Sequence, residues 1–252
     1  MKHVIRNIYS FYAILLFTIL LVPAFIAYIV IKMFVPYKKQ IVAVYSVNQM
    51  VMRIWSPLVG LRYKCTGKEN IKKDTAKITI YNHYSLLDVF AVNRHYSIAA
   101  KPLIKQELLK IPLLGWLFSM SAIPINRDSK SSKSKGMDEM QNNIKKGISV
   151  LIFPEGTRNR TKNALSDFKN GAFKLAVENN IAIQPTVILN TRKTSSPNSI
   201  TFLPCKIWIH HLPQVYPSKF NFDYELLKQH CFNMMEAFIV KFDKSYESFI
   251  KD

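Results

Sequence analysis

The sequence predicts an α/β layer fold with one principal sheet, preceded by an apolar helical segment that binds a membrane. Three observations predict it. From about residue 70 onward short apolar runs alternate with helix-periodic stretches. Two long apolar runs occupy the first 61 residues, and the positive charge is concentrated beside them. A content of 49% hydrophobic residues in 252 is ample for a sizeable core and excludes a disordered chain.

The N-terminal elements come first. Asn7 to Ile31 is uncharged, with Lys2 and Arg6 before it and Lys32, Lys38 and Lys39 after. About 20 apolar residues cross a bilayer's hydrocarbon core, so the run is long enough to span one. Tyr9, Tyr12, Tyr28 and Tyr37 stand where aromatic belts form. A cleaved signal peptide fits less well, since the run exceeds a usual apolar region and no small-residue cleavage site follows. A second run, Ile41 to Leu61, is interrupted only by Arg53 and reads as a second span, a re-entrant arm or an interfacial amphipathic helix. Basic residues on both flanks of the first run leave its orientation open. The expected division is residues 1–61 for membrane binding and 62–252 for the α/β domain.

Within that domain strands are expected at 77–81, 148–153, 181–189 and 200–210. Helices are expected at about 85–94, 103–110, 134–146, 171–179 and 223–249. The last should pack through a stripe of Leu227, Cys231, Met234, Phe238 and Phe242. The Ser/Lys-rich residues 127–136 and the polar residues 190–199 read as solvated loops. Cys65, Cys205 and Cys231 are too few and too scattered for a disulfide framework or a metal site, and their odd number fits a reducing compartment.

The formal net charge of +19 asks for an acidic partner: nucleic acid, anionic lipid, or an acidic substrate or carrier. Residues 1–68 hold no Asp or Glu and place their Lys and Arg beside membrane-length apolar runs. Such residues attract anionic lipid at about 1 kcal/mol each. No recognition helix or RNA-binding signature occurs, so nucleic acid is not an expected partner.

Two segments carry chemistry. The first, Asn82-His83-Tyr84-Ser85-Leu86-Leu87-Asp88, directly follows the strand at 77–81. On a continuous helix residues five apart point about 140° away from each other. His83 and Asp88 therefore meet only if His83 lies in the turn and Asp88 in the first helical turn. Asp88 would then fix the imidazole tautomer and leave Nε2 free to take a hydroxyl proton. Equally, Ser85 and Asp88 read as a helix cap with an acidic residue three positions on, which needs no catalysis. A metal site would need Glu155 or a distant histidine as third ligand, and no short spacing marks one.

The second segment, Phe153-Pro154-Glu155-Gly156-Thr157-Arg158-Asn159-Arg160, follows the strand at 148–153. Pro154 and Gly156 force a turn at the strand end, where open α/β sheets bind ligands. Gly156 admits an anion close to the backbone, Thr157 offers a hydroxyl, and Arg158 suits a bidentate phosphate pair. Arg127 could add a second guanidinium, and Glu155 could pair with an arginine or accept from substrate hydroxyls. The alternative is a surface turn with solvated arginines. Asn159-Arg160-Thr161 matches a glycosylation sequon by coincidence. No Ser or Cys claims the role of nucleophile: Ser85 reads as a cap, and Cys65 has no neighbouring base in sequence.

Together these residues resemble the glycerolipid acyltransferase family. Asn82-His83-x4-Asp88 is similar to its first motif. Lys105-Gln106-Glu107-Leu108, Ile111-Pro112-Leu113-Leu114-Gly115-Trp116 and Ile123-Pro124-Ile125-Asn126-Arg127 resemble the second. Phe153 to Arg158 resembles the third. Phe168-Lys169-Asn170-Gly171 with Ile183-Gln184-Pro185-Thr186 resembles the fourth. Ser121, Asn126 and Thr186 depart from it, standing where Gly, Asp and Val are usual.

The resemblance implies an acyltransferase-type mixed sheet flanked by helices. It also implies transfer of an acyl group from acyl-CoA or acyl-carrier protein to the sn-2 hydroxyl of lysophosphatidate, making phosphatidic acid. Another lysolipid or glycerol 3-phosphate is the alternative acceptor. By resemblance His83 is the base and Asp88 its orienter. Arg127, Glu155, Gly156, Thr157, Arg158 and Lys105 would bind substrate. No metal or cofactor is expected, and the implied location is the cytoplasmic face of a bacterial inner membrane.

Overall fold

The computed structural model describes residues 2–72, 75–95, 100–126, 129–192, 194 and 201–243. The chain opens with helices α1 (Lys2–Phe34) and α2 (Tyr37–Leu58), joined through Val35 and Pro36. At about 1.5 Å per residue α1 is roughly 50 Å long, more than a hydrocarbon core requires. Val4–Phe34 is long and apolar enough to cross a membrane, and only 22% of its most apolar stretch is buried against the rest of the protein. Its exposed side chains include Ile8, Phe11, Leu15, Ile19, Val22 and Ile26, a surface compatible with membrane association.

The second apolar run folds back on the first as the other limb of a hairpin. Trp55 of α2 is buried, and its indole N–H donates to the Ala13 carbonyl at 2.8 Å. The Tyr9 hydroxyl donates to Val59, and Ser10 Oγ accepts from the Phe202 N–H at 3.1 Å. The hairpin is thus tied to the α/β body by polar contacts as well as by apolar packing.

Seven strands among the described residues form one mixed sheet. They are β1 (Arg62–Thr66), β2 (Ile78–Tyr81), β3 (Ala100–Lys105), β4 (Ile123–Ile125), β5 (Ser149–Ile152), β6 (Ile183–Leu189) and β7 (Lys206–His211), in the order β1-β7-β6-β2-β5-β3-β4. Strands β6, β2, β5, β3 and β4 run parallel; β7 opposes β6, and β1 follows β7. Every residue of β2, β5 and β6 is buried, as strands covered on both faces must be. Alternate residues divide between two cores. Tyr81, Leu151 and Ile188 face the hairpin and α3 (Leu86–His95). Ile80, Val150, Ile152 and Val187 face α5 (Lys130–Lys145), α6 (Gly171–Glu178) and α7 (Tyr224–Phe242).

Several elements differ from the sequence reading. The helix expected at 103–110 is the end of β3 followed by a short 3-10 helix over Gln106–Lys110. Pairing with β5 at Ala100–Pro102 and with β4 at Leu103–Lys105 overrides local propensity. The loop expected at 127–136 is largely the start of α5. Ser129 caps it, its side chain accepting from the Ser132 N–H. Strands β1 and β4 and helix α4 (Leu114–Ser121) were not expected. The strand expected at 200–210 begins only at Lys206.

Helix α7 ends at Phe242, and residues 244–249 of the expected final helix lie outside the described residues. Its buried stripe is Leu227, Cys231, Met235 and Ile239, a strict four-residue spacing. Met234 and Phe238 flank that stripe, and Phe242 packs on Trp208. In the loop expected at 190–199, Thr191 and Arg192 are buried rather than solvated. Residues 193 and 195–199 lie outside the described residues.

Candidate active site

The candidate residues follow the C-terminal ends of parallel strands: His83 after β2, Glu155 to Arg158 after β5, Lys105 at the end of β3. Because β2 and β5 are neighbours, the turns that leave them touch. Arg127, two residues past β4, lies outside the described residues.

Asn82 decides where the chain leaves the sheet. Its amide donates to the Ile188 carbonyl at 2.8 Å and accepts from the Ile188 N–H at 2.7 Å, extending the β2–β6 pairing with a side chain. His83 then turns out over the strand ends. Its N–H donates to Glu155 Oε1 at 2.7 Å, its carbonyl accepts from the Asn159 N–H at 2.6 Å, and its ring stacks on Phe153 at 4.2 Å. His83 Nδ1 lies 3.0 Å from Asp88 Oδ2. With a proton on Nδ1 donated to that oxygen, Nε2 is the basic nitrogen.

Asp88 is fully buried, and the same Oδ2 also accepts the N–H groups of Tyr84 (2.6 Å) and Ser85 (2.7 Å). Ser85 Oγ accepts in turn from the Leu87 N–H at 3.1 Å. The two readings of this segment are therefore not alternatives. One carboxylate oxygen closes the helix cap and meets the histidine, because both sets of donors converge on the start of α3.

Glu155 sits at the join of the two turns. Oε1 takes the His83 N–H, and Oε2 takes the Ser166 N–H at 2.8 Å. Only 2% of the residue is exposed, and burial pushes its carboxyl up to about 7, against the pull of those two donors. Both oxygens are thus engaged by the chain's own backbone, which makes Glu155 a brace between the strand ends. A carboxyl raised from 4.5 to about 7 on folding favours the folded state below about pH 4.5, and that contribution is lost as pH rises to about 7. Relative to Glu155→Gln, the wild-type melting temperature should fall as pH rises between those values and level off above. A difference independent of pH would contradict the burial argument.

Gly156 adopts φ +77°, and its N–H closes the turn onto the Phe153 carbonyl at 3.0 Å. A side chain in that left-handed backbone would be strained. Thr157 beyond it is exposed and Arg158 half-buried. Lys105 is 58% exposed and lies 3.3 Å from Glu107, a solvated pair separated from β2 by the width of β5.

Other residues have neighbours that their sequence positions do not announce. Phe153 supplies the surface on which His83 rests. Asn159 is buried, and its side-chain oxygen accepts from the Thr161 N–H (2.8 Å) and hydroxyl (2.7 Å). The apparent glycosylation sequon is therefore a side-chain-closed turn. Cys65 does have a base beside it, His211 Nε2 at 3.6 Å, a neighbour that only the β1–β7 pairing brings near. Burial raises its thiol above the ordinary range, which opposes a nucleophilic thiolate.

An imidazole oriented by a buried carboxylate, at the end of a central parallel strand and beside a glycine turn bearing an arginine, is equipped to deprotonate a hydroxyl next to an anionic group. The acyltransferase family model matches residues 62–189, the stretch that contains all of these residues. A 1-acyl-sn-glycerol-3-phosphate acyltransferase of Saccharomyces cerevisiae is 33% identical over 162 residues, covering 63% of this chain and 53% of that protein. One from Borreliella burgdorferi is 31% identical over 185 residues, covering 73% and 72%. The chain spans about half the length of the yeast and chloroplast relatives it matches. Among solved structures, the crystal structure of the 1-acyl-sn-glycerophosphate acyltransferase PlsC from Thermotoga maritima shares the fold. Its TM-score is 0.82 at 20% identity, covering 96% of this chain and 97% of that one. By the extent of the family match and the identity to its Borreliella relative, this chain belongs to the acyltransferase family.

Proposed function

We propose that the protein transfers a fatty acyl group from acyl-CoA or acyl-carrier protein to the sn-2 hydroxyl of 1-acylglycerol-3-phosphate, forming phosphatidic acid. The observation that carries this reading is the 3.0 Å contact of His83 Nδ1 with buried Asp88, beside the Gly156–Arg158 turn. Relatives named for the same reaction support it.

In the reaction His83 Nε2 removes the hydroxyl proton as the oxygen attacks the thioester carbonyl. The new C–O bond forms, the C–S bond breaks, and the imidazolium returns its proton to the departing thiolate. Asp88 holds the ring and offsets the charge that develops on it. The Gly156 turn, Thr157, Arg158 and Arg127 hold the acceptor phosphate, with Lys105 adding positive charge from the end of β3. No metal or cofactor enters these steps. The α1–α2 hairpin attaches the enzyme to anionic lipid on the cytoplasmic face of the membrane, where a lipid acceptor is held.

The test offers purified, detergent-solubilised protein a panel of lysolipids and glycerol 3-phosphate, with acyl-CoA and acyl-carrier protein as donors, and follows products by mass. Phosphatidic acid from lysophosphatidate is the expected dominant product. Faster acylation of lysophosphatidylcholine or of glycerol 3-phosphate would replace the acceptor, and no transfer to any of them would reject the reading.

A further inference from the structure

One buried cation has no part in the chemistry above. Arg192 lies three residues beyond β6, in a polar stretch whose composition predicts full solvation, yet only 6% of it is exposed. A guanidinium is not buried without partners, because the hydration it loses must be replaced by hydrogen bonds or ring contacts. Arg192 has partners in both turns of the site. Its Nη2 donates to the carbonyls of Thr161 (3.2 Å) and Asn163 (3.0 Å), in the segment that continues from the Gly156 turn. The guanidinium carbon lies 4.2 Å from the centre of the Tyr84 ring, and Tyr84 directly follows His83.

Tyr84 repeats the link. Its hydroxyl donates to the Ala164 carbonyl, while its backbone N–H donates to Asp88 Oδ2. Burial pushes that hydroxyl well above its ordinary range, so it stays a donor. Asn159 adds a bond from its amide to Asn163 at 3.1 Å. Three carbonyls of the 161–164 segment are thus gripped from the residue beside the base and from the end of β6. Glu155 joins the same two turns through His83 and Ser166, and Arg192 joins them through Tyr84, Thr161 and Asn163.

We infer that Arg192 is a positioning residue that fixes the distance between the His83 base and the phosphate-binding turn, and so selects acceptors whose hydroxyl and phosphate match that distance. The inference rests on the proposed function, since it takes the acceptor to carry a phosphate. Its physical basis is the steep dependence of transfer on placement, where about 1 Å of displacement costs on the order of 10²-fold in rate. A planar guanidinium can stack on a ring and reach two carbonyls in one pose. A lysine ammonium keeps the charge and cannot do both.

The test is Arg192→Lys, measured with lysophosphatidate and with the same monoacylglycerol lacking its phosphate. The expected result is a loss of about tenfold or more in kcat/KM for lysophosphatidate, a modest share of that placement cost. The slow rate with the phosphate-free acceptor and the KM for the acyl donor should stay within about twofold. Tyr84→Phe keeps the ring under the guanidinium and drops the bond to Ala164; it should reduce the same preference by a smaller factor, independently of whether the lysine variant folds. Equal losses on both acceptors in step with a lowered melting temperature, or a preference unchanged in both variants, would overturn the inference and leave the function standing. A wild-type enzyme that does not favour lysophosphatidate over the phosphate-free acceptor overturns both.

Discussion

Replacing His83 with alanine should lower acyl transfer to lysophosphatidate by about 10²–10⁴-fold, the range that a positioned general base contributes. The fold should survive, because the links that hold this turn use backbone atoms. The His83 N–H to Glu155 and the Asn159 N–H to the His83 carbonyl are unchanged by truncating the side chain. What disappears is the imidazole, together with its stacking on Phe153. Acceptor KM should change little, since the groups assigned to the phosphate lie on the neighbouring turn. Steady-state kinetics beside a thermal melt separate these effects. Turnover near that of the wild type would remove His83 from the mechanism.

The second large effect is expected at Asp88, where two substitutions split one residue's two duties. In Asp88→Ala, the N–H groups of Tyr84 and Ser85 and the Nδ1–H of His83 lose their shared acceptor in a fully buried place. Each buried donor left unpaired costs about 1–3 kcal/mol, so this variant should lose both stability and activity. Asp88→Asn can present its carbonyl oxygen to the same donors and keep most of the cap. Its amide nitrogen would occupy the place of Oδ1, which is buried and has no hydrogen-bond partner among the described residues. The asparagine also lacks the negative charge that stabilises imidazolium, so activity should fall about 10²-fold or more while the melting temperature falls less than in the alanine variant. An asparagine variant as active as the wild type would reduce Asp88 to a helix cap.

These residues illustrate what could be read in advance. His83, Ser85 and Asp88 lie within six positions, so the geometry of one turn and one helix start sets their relations, and those follow from local rules. The same holds for the Phe153–Gly156 turn, and for β2, β5 and β6, whose burial on both faces leaves short, largely apolar runs. The second half of β3 falls within the helix expected at 103–110, since its residues are mostly half-buried and carry no clear period. Its identity rests on pairing with β5 and β4, far away in sequence. Glu155, expected to bind substrate, also accepts from two backbone N–H groups, one of them 72 positions away, which no local pattern announces.

By itself, then, the sequence determined the α/β class, the apolar helix at the N-terminus, the order of the chemical segments and a histidine and a carboxylate placed where one turn can bring them together. Only the tertiary structure decided that the second apolar run folds back against the first and that one carboxylate both caps and orients. It alone placed a polar-looking arginine as a buried clamp between two strand ends. The reason is physical. Periodicity and turn chemistry act over a few residues and survive in composition, whereas burial and hydrogen-bond partners are fixed by segments that meet only when the sheet assembles.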